Sequence, residues 1–396
     1  MAGLYVHIPF CKSRCIYCSF FSTTGLTPLL QEQYVDALCK ELSLRGDYLN
    51  GAPVNTLYIG GGTPSLLSPH SIGRIAENFH DLVEFTVECN PDDITPSFAS
   101  GLVEMGVNRV SMGVQTFSDS RLSFLRRRHS ASQIPQAIEH LRQAGIDNIS
   151  IDLIFGFPDQ TLQEWEDDIS KALSLRVQHL SAYSLSYEQG TALYNMLSRE
   201  DVREISDDES LAMYDTLIDR LTGAGYEHYE ISNFALPGKR ARHNAAYWDG
   251  TPYLGIGAGA HSYTHYPTPS RQWNVSNVAE YIDSIKRGII PCDKEQLDED
   301  TQYNDIITTA LRTSTGICTD ALDEPHRTYL LSQATKHIRR GTLCTETIDG
   351  RQFLHLTRKG LFISPRLLSK RCLRTRILMR LQHPGRSVLP PRRKGS

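Results

Sequence analysis

A chain of 396 residues can bury the core of one large domain and a smaller one, and 40% hydrophobic with 22% charged residues is the balance of an ordinary globular protein. The formal net charge of -4 argues against a general nucleic-acid binder, and no apolar run approaches the length that spans a bilayer. Nine cysteines over this length do not make a disulfide framework, and MAGLYVHIPF lacks the charged-then-apolar pattern of a leader, so a reducing, cytoplasmic setting is expected.

Residues 3–235 alternate between strand-like runs and helical patterns. The predicted strands are LYVHI (4–8), NTLYIG (55–60), EFTVEC (84–89), RVSMGV (109–114), ISIDLIFG (149–156) and VQHLSAYSL (177–185). Helices are predicted near 28–46, 69–80, 94–104, 131–144, 161–174 and 208–223, with Gly106, Gly145 and Gly225 closing three of them. Six β-α repeats predict an α/β fold, a parallel sheet with helices outside, whose ligands gather beyond the C-terminal ends of the strands. Residues 236–290, rich in Gly, Tyr and His, contain HNAAYWDGTPYLGIGAGAHSY (243–263) and are expected to connect and pack on the larger domain. Residues 291–370 read as a small α+β domain, with helices near 299–312 and 325–340 and a hairpin over 342–356 turning at Asp349-Gly350. The tail, 371–396, has eight Arg or Lys and no acid, and is expected to be partly disordered.

The chemistry concentrates at predicted strand ends. Cys11, Cys15 and Cys18 sit in YVHIPFCKSRCIYC, after the first strand, at spacings of four and three. Three thiolates so spaced hold three irons of a [4Fe-4S] cluster and leave the fourth open to a chelating small molecule. Zinc stays open as a reading, with His7 as a fourth ligand. Gly60-Gly61-Gly62-Thr63-Pro64 ends the second strand and is either a plain tight turn or a backbone cradle for an amino-acid moiety. Glu88 and Asp152 are acids on apolar strands, which need partners, and Arg109 and Arg127 are the available cations. Gln115 offers a donor and an acceptor. Cys39, Cys89, Cys292, Cys318, Cys344 and Cys372 are scattered and read as structural thiols.

With VECNPDD, RVSMGVQTF, DLIFGFPDQT and YLGIGAGAHSY, these motifs resemble the radical S-adenosylmethionine superfamily. Within it they are most similar to the anaerobic coproporphyrinogen III oxidase group, its heme-chaperone branch above all, from about residue 3 to about residue 364. The resemblance implies a partial (β/α)6 TIM-like barrel over residues 1–235, with 236–290 packed on it and an oxidase-like small domain over 291–370. It implies a [4Fe-4S] cluster on Cys11, Cys15 and Cys18, with S-adenosylmethionine chelating the fourth iron. Tyr5, Gly61, Gly62, Thr63, Glu88, Gln115, Arg127 and Asp152 match positions lining that cofactor's pocket. Electron transfer from the cluster to the sulfonium then yields a 5'-deoxyadenosyl radical.

The oxidase carries a further cysteine where this chain has Phe20, which favours the chaperone branch. That branch binds heme and passes it to respiratory heme proteins, with a flavodoxin or ferredoxin as reductant. The alternative is an oxygen-independent coproporphyrinogen III oxidase forming protoporphyrinogen IX. Candidates to touch heme are His243, His261 and His265, with Cys89 and Cys318 behind them. The basic tail, with LSKRCLRTRILMRL (368–381), is a candidate for peripheral contact with an anionic membrane.

Overall fold

In the computed structural model, residues 1–362 are described. The expectations for the basic tail and for Cys372 lie outside them. Six parallel strands carry the fold: β1 (Ala2–Ile8), β2 (Val54–Gly61), β3 (Glu84–Cys89), β4 (Arg109–Gln115), β5 (Ile149–Phe155) and β6 (His179–Ser184). They are neighbours in sequence order, each pair joined through an outer helix, as right-handed β-α units require. The six helices predicted with these strands are present: Pro28–Leu44, Pro69–Ala76, Pro96–Glu104, Gln133–Ala144, Leu162–Ser174 and Asp207–Gly223. Side-chain caps start most of them. Thr161 and Ser206 make reciprocal capping boxes with Glu164 and Glu209, and Gly145 at φ 103° ends the Gln133–Ala144 helix.

Side-chain alternation decides what faces what. Leu4, Val6, Ile8, Leu57, Ile59, Phe85, Val87, Val110, Met112, Ile149, Ile151, Leu153 and Leu180 turn outward into one core with the helices. The other parity holds Tyr5, His7, Tyr58, Glu88, Arg109, Ser111, Ser150, Asp152, His179 and Ser181. The lumen is therefore polar, and the hydrophobic stabilisation lies almost wholly in the shell between sheet and helices.

The sheet is an open partial barrel, extended at both edges to twelve strands. Beside β6 lie β7 (Glu227–Glu230) and β8 (Asn233–Ala235), with β8 antiparallel to both neighbours. Beside β1 lie β9 (Tyr253–Ile256), β10 (His261–Thr264), β11 (Ser270–Asn274) and β12 (Cys292–Gln296). Residues 236–290, expected to connect and pack, thus hold three of these strands and the helices Arg242–Asp249 and Val278–Lys286. β9 pairs parallel with β1, from Gly3 opposite Tyr253 to Val6 opposite Ile256.

The smaller unit has a separate core around Tyr303, Ile307, Leu311, Ile317, Leu330, Leu343 and Leu354. Its helices, Glu299–Ala310 and Glu324–Arg339, pack with β13 (Ile317–Cys318), β14 (Leu343–Ile348) and β15 (Arg351–Leu356). β14 and β15 form the predicted hairpin; Asp349 and Gly350, at φ 50° and 76°, supply the positive φ pair that a two-residue turn needs. A backbone bond from Ile231 to Arg312 (3.1 Å) and an Arg312–Glu230 ion pair (3.3 Å) join this unit to β7.

A buried polar network fixes the glycine-rich stretch after β9. Glu41, fully buried, accepts from Gly257 N (2.9 Å), Asn274 Nδ2 (2.8 Å) and the Tyr281 hydroxyl (2.6 Å), and pairs with Arg45 at 3.1 Å. Arg45 in turn donates to Asn274 Oδ1 (2.8 Å) and the Ser262 hydroxyl (3.2 Å). Deleting one partner of such a pair leaves an uncompensated charge indoors. Glu41→Ala should lower the free energy of unfolding by about 3 kcal/mol or more, measured by denaturant titration, whereas an exposed pair such as Arg287–Asp283 should change it by less than about 1 kcal/mol.

Candidate functional site

The cysteine loop lies at the C-terminal end of β1, where a parallel barrel presents its reactive groups. Its two ends are drawn together by backbone bonds from Cys11 N to Thr23 O (2.9 Å) and Thr23 N to Pro9 O (2.6 Å). Its middle is held by Ile16, which packs with Leu125, Ile154, Phe157, Leu185 and Leu193. Ile16 N donates to Leu125 O (3.3 Å), and Ile16 O accepts from Leu193 N (2.9 Å). Cys11, Cys15 and Cys18 are all free thiols, half-buried.

Gly61 and Gly62 meet this loop from the end of β2. Gly62 N donates to Ile8 O (2.7 Å), and a Cβ on Gly62 would sit 2.7 Å from Phe10 O and 3.0 Å from Cys11 Sγ. Only glycine allows that approach. Gly61, at φ 118°, turns its N–H to Glu88 Oε2 at 3.0 Å. The Thr63 hydroxyl reaches Cys11 Sγ at 3.5 Å.

The other predicted residues converge on the same mouth. Glu88 accepts from the Tyr58 hydroxyl (2.7 Å) as well as Gly61. Gln115 and Arg127 close over Gly113, whose missing Cβ would lie 2.9 Å from Gln115 Nε2 and 3.0 Å from Arg127 Nη2. Gln115 is itself at φ 69°, where the β4–β5 register slips by a residue. Buried Asp168 fixes the turn that follows, accepting from the Thr116 hydroxyl (2.6 Å) and Phe117 N (3.0 Å). Arg127 donates to Gly113 O (2.6 Å) and Asn90 Oδ1 (2.7 Å), and lies 3.7 Å from Cys15 Sγ. Asp152, opposite Gly113, is hydrogen-bonded by Ser181 and Ser111. Tyr5 reaches His7 Nδ1 at 2.9 Å, and His7 Nε2 lies 2.9 Å from Phe21 O, on the far limb of the cysteine loop.

The radical SAM superfamily profile matches residues 5–172. The chain is 35% identical over 380 residues to the heme chaperone HemW of Lactococcus lactis, covering 92% of this chain and 96% of that one. It is 37% identical over 326 residues to HemW of Bacillus subtilis, covering 80% and 85%. The chain belongs to the HemW family of radical SAM proteins. The Escherichia coli coproporphyrinogen III oxidase HemN shares the fold of this HemW-family chain, with a TM-score of 0.78 over 94% of it and 90% of HemN, at 22% identity.

Membership of the radical SAM superfamily implies a [4Fe-4S] cluster and S-adenosylmethionine. The residues of this HemW-family chain fit both. The cysteine loop is held by backbone bonds at its ends, by the packing of Ile16 and by His7 at Phe21, and among the described residues Arg127 keeps a buried Nε without a partner near Cys15. Burial pushes the Cys18 thiol up to about 11 and raises Cys11 too, against the Thr63 hydroxyl, so each would release a proton on ligating iron. Zinc fits less well. Both nitrogens of His7 are occupied, and burial lowers its pKa to about 4, which keeps the ring neutral, donating to Phe21 O and accepting from Tyr5. Among the described residues no three His, Cys, Asp or Glu side chains gather around a single-ion site.

The heme candidates separate. His243 is buried with both nitrogens engaged, by the Thr56 hydroxyl (2.9 Å) and the Tyr247 hydroxyl (2.9 Å), and its ring stacks on Tyr58. His265 is exposed and bound to Gly250 O (2.9 Å), and His261 stacks on Trp273. Cys89 is buried in the outer shell, away from the lumen, and Cys318 is half-buried in β13. Tyr58 and Asp168 had no motif to announce them, and Asn90 lies in VECNPDD without having been singled out. Inward parity on β2 is the one signal that points to Tyr58.

Two outcomes are expected. Gly62→Ala should retain less iron after reconstitution than the wild type, measured by iron and sulfide analysis, while its circular dichroism stays native. Burial, opposed by the Tyr58 hydrogen bond, pushes the Glu88 carboxyl up from 4.5 to about 7. The folded ligand-free chain then binds more protons than the unfolded chain between those values, so this residue's contribution to stability falls as pH rises through that window. Thermal melts of Glu88→Gln against wild type across it should show the decline reduced in the variant.

Proposed function

We propose that this chain binds heme and delivers it to heme proteins of respiration, and that it carries a [4Fe-4S] cluster on Cys11, Cys15 and Cys18 with S-adenosylmethionine beside it. The observation that carries the reading is the match, nearly end to end, to proteins named heme chaperone HemW. The cysteine loop and its glycine seat support the cofactor half of it.

In this reading Cys11, Cys15 and Cys18 would hold the cluster, which would supply reducing power toward the sulfonium of a bound S-adenosylmethionine. Gly61, Gly62 and Thr63 shape the wall against Cys11, and the backbone there would offer its amide and carbonyl groups to the amino-acid moiety of the cofactor. Glu88 and Asp152 accept hydrogen bonds from within the lumen, and Gln115 and Arg127 close the side beyond Cys15. Tyr5 acts through His7, which braces the cysteine loop at Phe21. A flavodoxin or ferredoxin is the reductant. Among the described residues no helix is long and apolar enough to cross a membrane, and delivery to membrane-bound acceptors falls to the basic tail as a peripheral contact.

The test is anaerobic, on reconstituted protein given coproporphyrinogen III, S-adenosylmethionine and reductant, with a parallel heme titration. The expected result is stoichiometric heme binding and no loss of carboxyl groups by mass spectrometry; protoporphyrinogen would make the chain an oxidase despite Phe20. Cys11→Ala should lose the cluster's iron and colour, and retention of both would overturn the ligand assignment.

A further inference from the structure

Arg109 is a buried cation on the lumen side of the sheet. It opens β4, is 1% exposed, and ranks among the largest fully buried side chains of the protein. A guanidinium never gives up its charge, and an isolated ion indoors costs several kcal/mol unless something compensates it. Among the described residues its Nε and Nη1 have no hydrogen-bond partner, nor does the Thr86 hydroxyl directly opposite on β3. With so little local hydrogen bonding, Arg109 acts on its surroundings chiefly through its charge.

The strand register shows where that field falls. Arg109, Ser111 and Gly113 share the inward face of β4. Glu88 lies opposite Ser111, and Asp152 lies opposite Gly113. Arg109 thus sits one inward step below Glu88 and two below Asp152, on the closed side of the lumen, while the cysteine loop covers the other. Its influence reaches Tyr58 on β2, Glu88 on β3, Asp152 on β5, His179 on β6, Tyr229 on β7 and His243 on the Arg242–Asp249 helix. Tyr5 on β1, Tyr247 on that same helix and Gly61 N complete the surroundings of Glu88, and Arg127 is the second cation near Asp152. Glu84, the other buried acid here, is taken by the backbone N–H groups of Arg242 (2.8 Å) and His243 (2.9 Å).

We propose that Arg109 is a positioning residue for the S-adenosylmethionine site: from the floor of the lumen its fixed charge opposes protonation of Glu88 and Asp152 and so favours the carboxylates that accept hydrogen bonds from the cofactor above. The inference rests on the cofactor reading of the preceding subsection. Arg109 touches neither cofactor nor cluster in this scheme. Burial drives both acids toward their neutral forms, and Arg109 opposes that drift at each. A protonated Glu88 would point a proton where a donor must approach.

The experiment measures S-adenosylmethionine affinity as a function of pH on the full chain with reconstituted cluster, for wild type, Arg109→Lys and Arg109→Met. Perturbation of the reduced cluster's electron paramagnetic resonance spectrum by S-adenosylmethionine reports binding without turnover. Arg109→Met should bind about tenfold more weakly near neutral pH for each unit by which the acids' titration moves up, and should regain affinity as pH rises. Arg109→Lys should keep a profile close to wild type. A purely structural role would lower the melting temperature of Arg109→Met while leaving the pH profile unmoved, which would overturn the proposal. Should Arg109→Met not fold, difference infrared spectra of the wild type against Glu88→Gln decide. A protonated-carboxyl band lost in Glu88→Gln from cofactor-bound protein at neutral pH would overturn it, and its absence would support it. Failure of wild type to bind S-adenosylmethionine at any pH would instead refute the cofactor reading itself.

Discussion

Everything in this protein depends on a parallel sheet whose two faces have opposite chemistry. Strands buried on both faces are usually apolar throughout. Here each of β1–β6 alternates strictly enough that one face feeds the hydrophobic shell and the other lines the lumen with Tyr, His, Ser, Glu, Asp and Arg. The shell supplies the cohesion, so the lumen is free to be selected for binding. The cost of a polar interior is met locally: Glu88 by Tyr58 and Gly61, Asp152 by two serines, Glu84 by two backbone amides.

A second dependency links distant parts of the chain to the cysteine loop. Tyr34, from the first helix, donates to His7 O at 2.9 Å and accepts from Ala258 N at 2.9 Å. The neighbouring Gly257 is held by Glu41 of the same helix. His7 then braces Phe21, and Gly259 comes so close to the Phe21 ring that a Cβ there would lie 3.1 Å from it. The glycine-rich stretch YLGIGAGA, far from the cysteines in sequence, is thus part of their foundation. Its glycines serve close approach of backbone to backbone and to rings.

Much of this is legible in the amino-acid sequence. The six strands and the six helices predicted with them follow from apolar periodicity punctuated by Gly and Pro, because each element of a β-α unit buries a face of its own. The hairpin at Asp349-Gly350 follows from turn chemistry. The motif residues at strand ends converge because the fold sends all those ends to one mouth. What stayed hidden depends on pairing across the chain. Strands β9 to β12 are short and carry Tyr, His, Trp and charged residues, and are strands because β1 offers an edge. Ile16 looks like filler between cysteines, and only the third dimension shows it gripped by loops after β4 and β6. Asn90 and Asp168 hold Arg127 and the turn after Gln115 through contacts no spacing encodes.

The pinning of the cysteine loop has a consequence for what the loop needs from a metal. Phe10 bridges Thr23, Ile16 is clamped on both its amide and its carbonyl, and His7 steadies Phe21. None of these attachments uses iron. The loop is thus tied to the barrel by protein contacts of its own, unlike a zinc finger, whose fold rests on its metal.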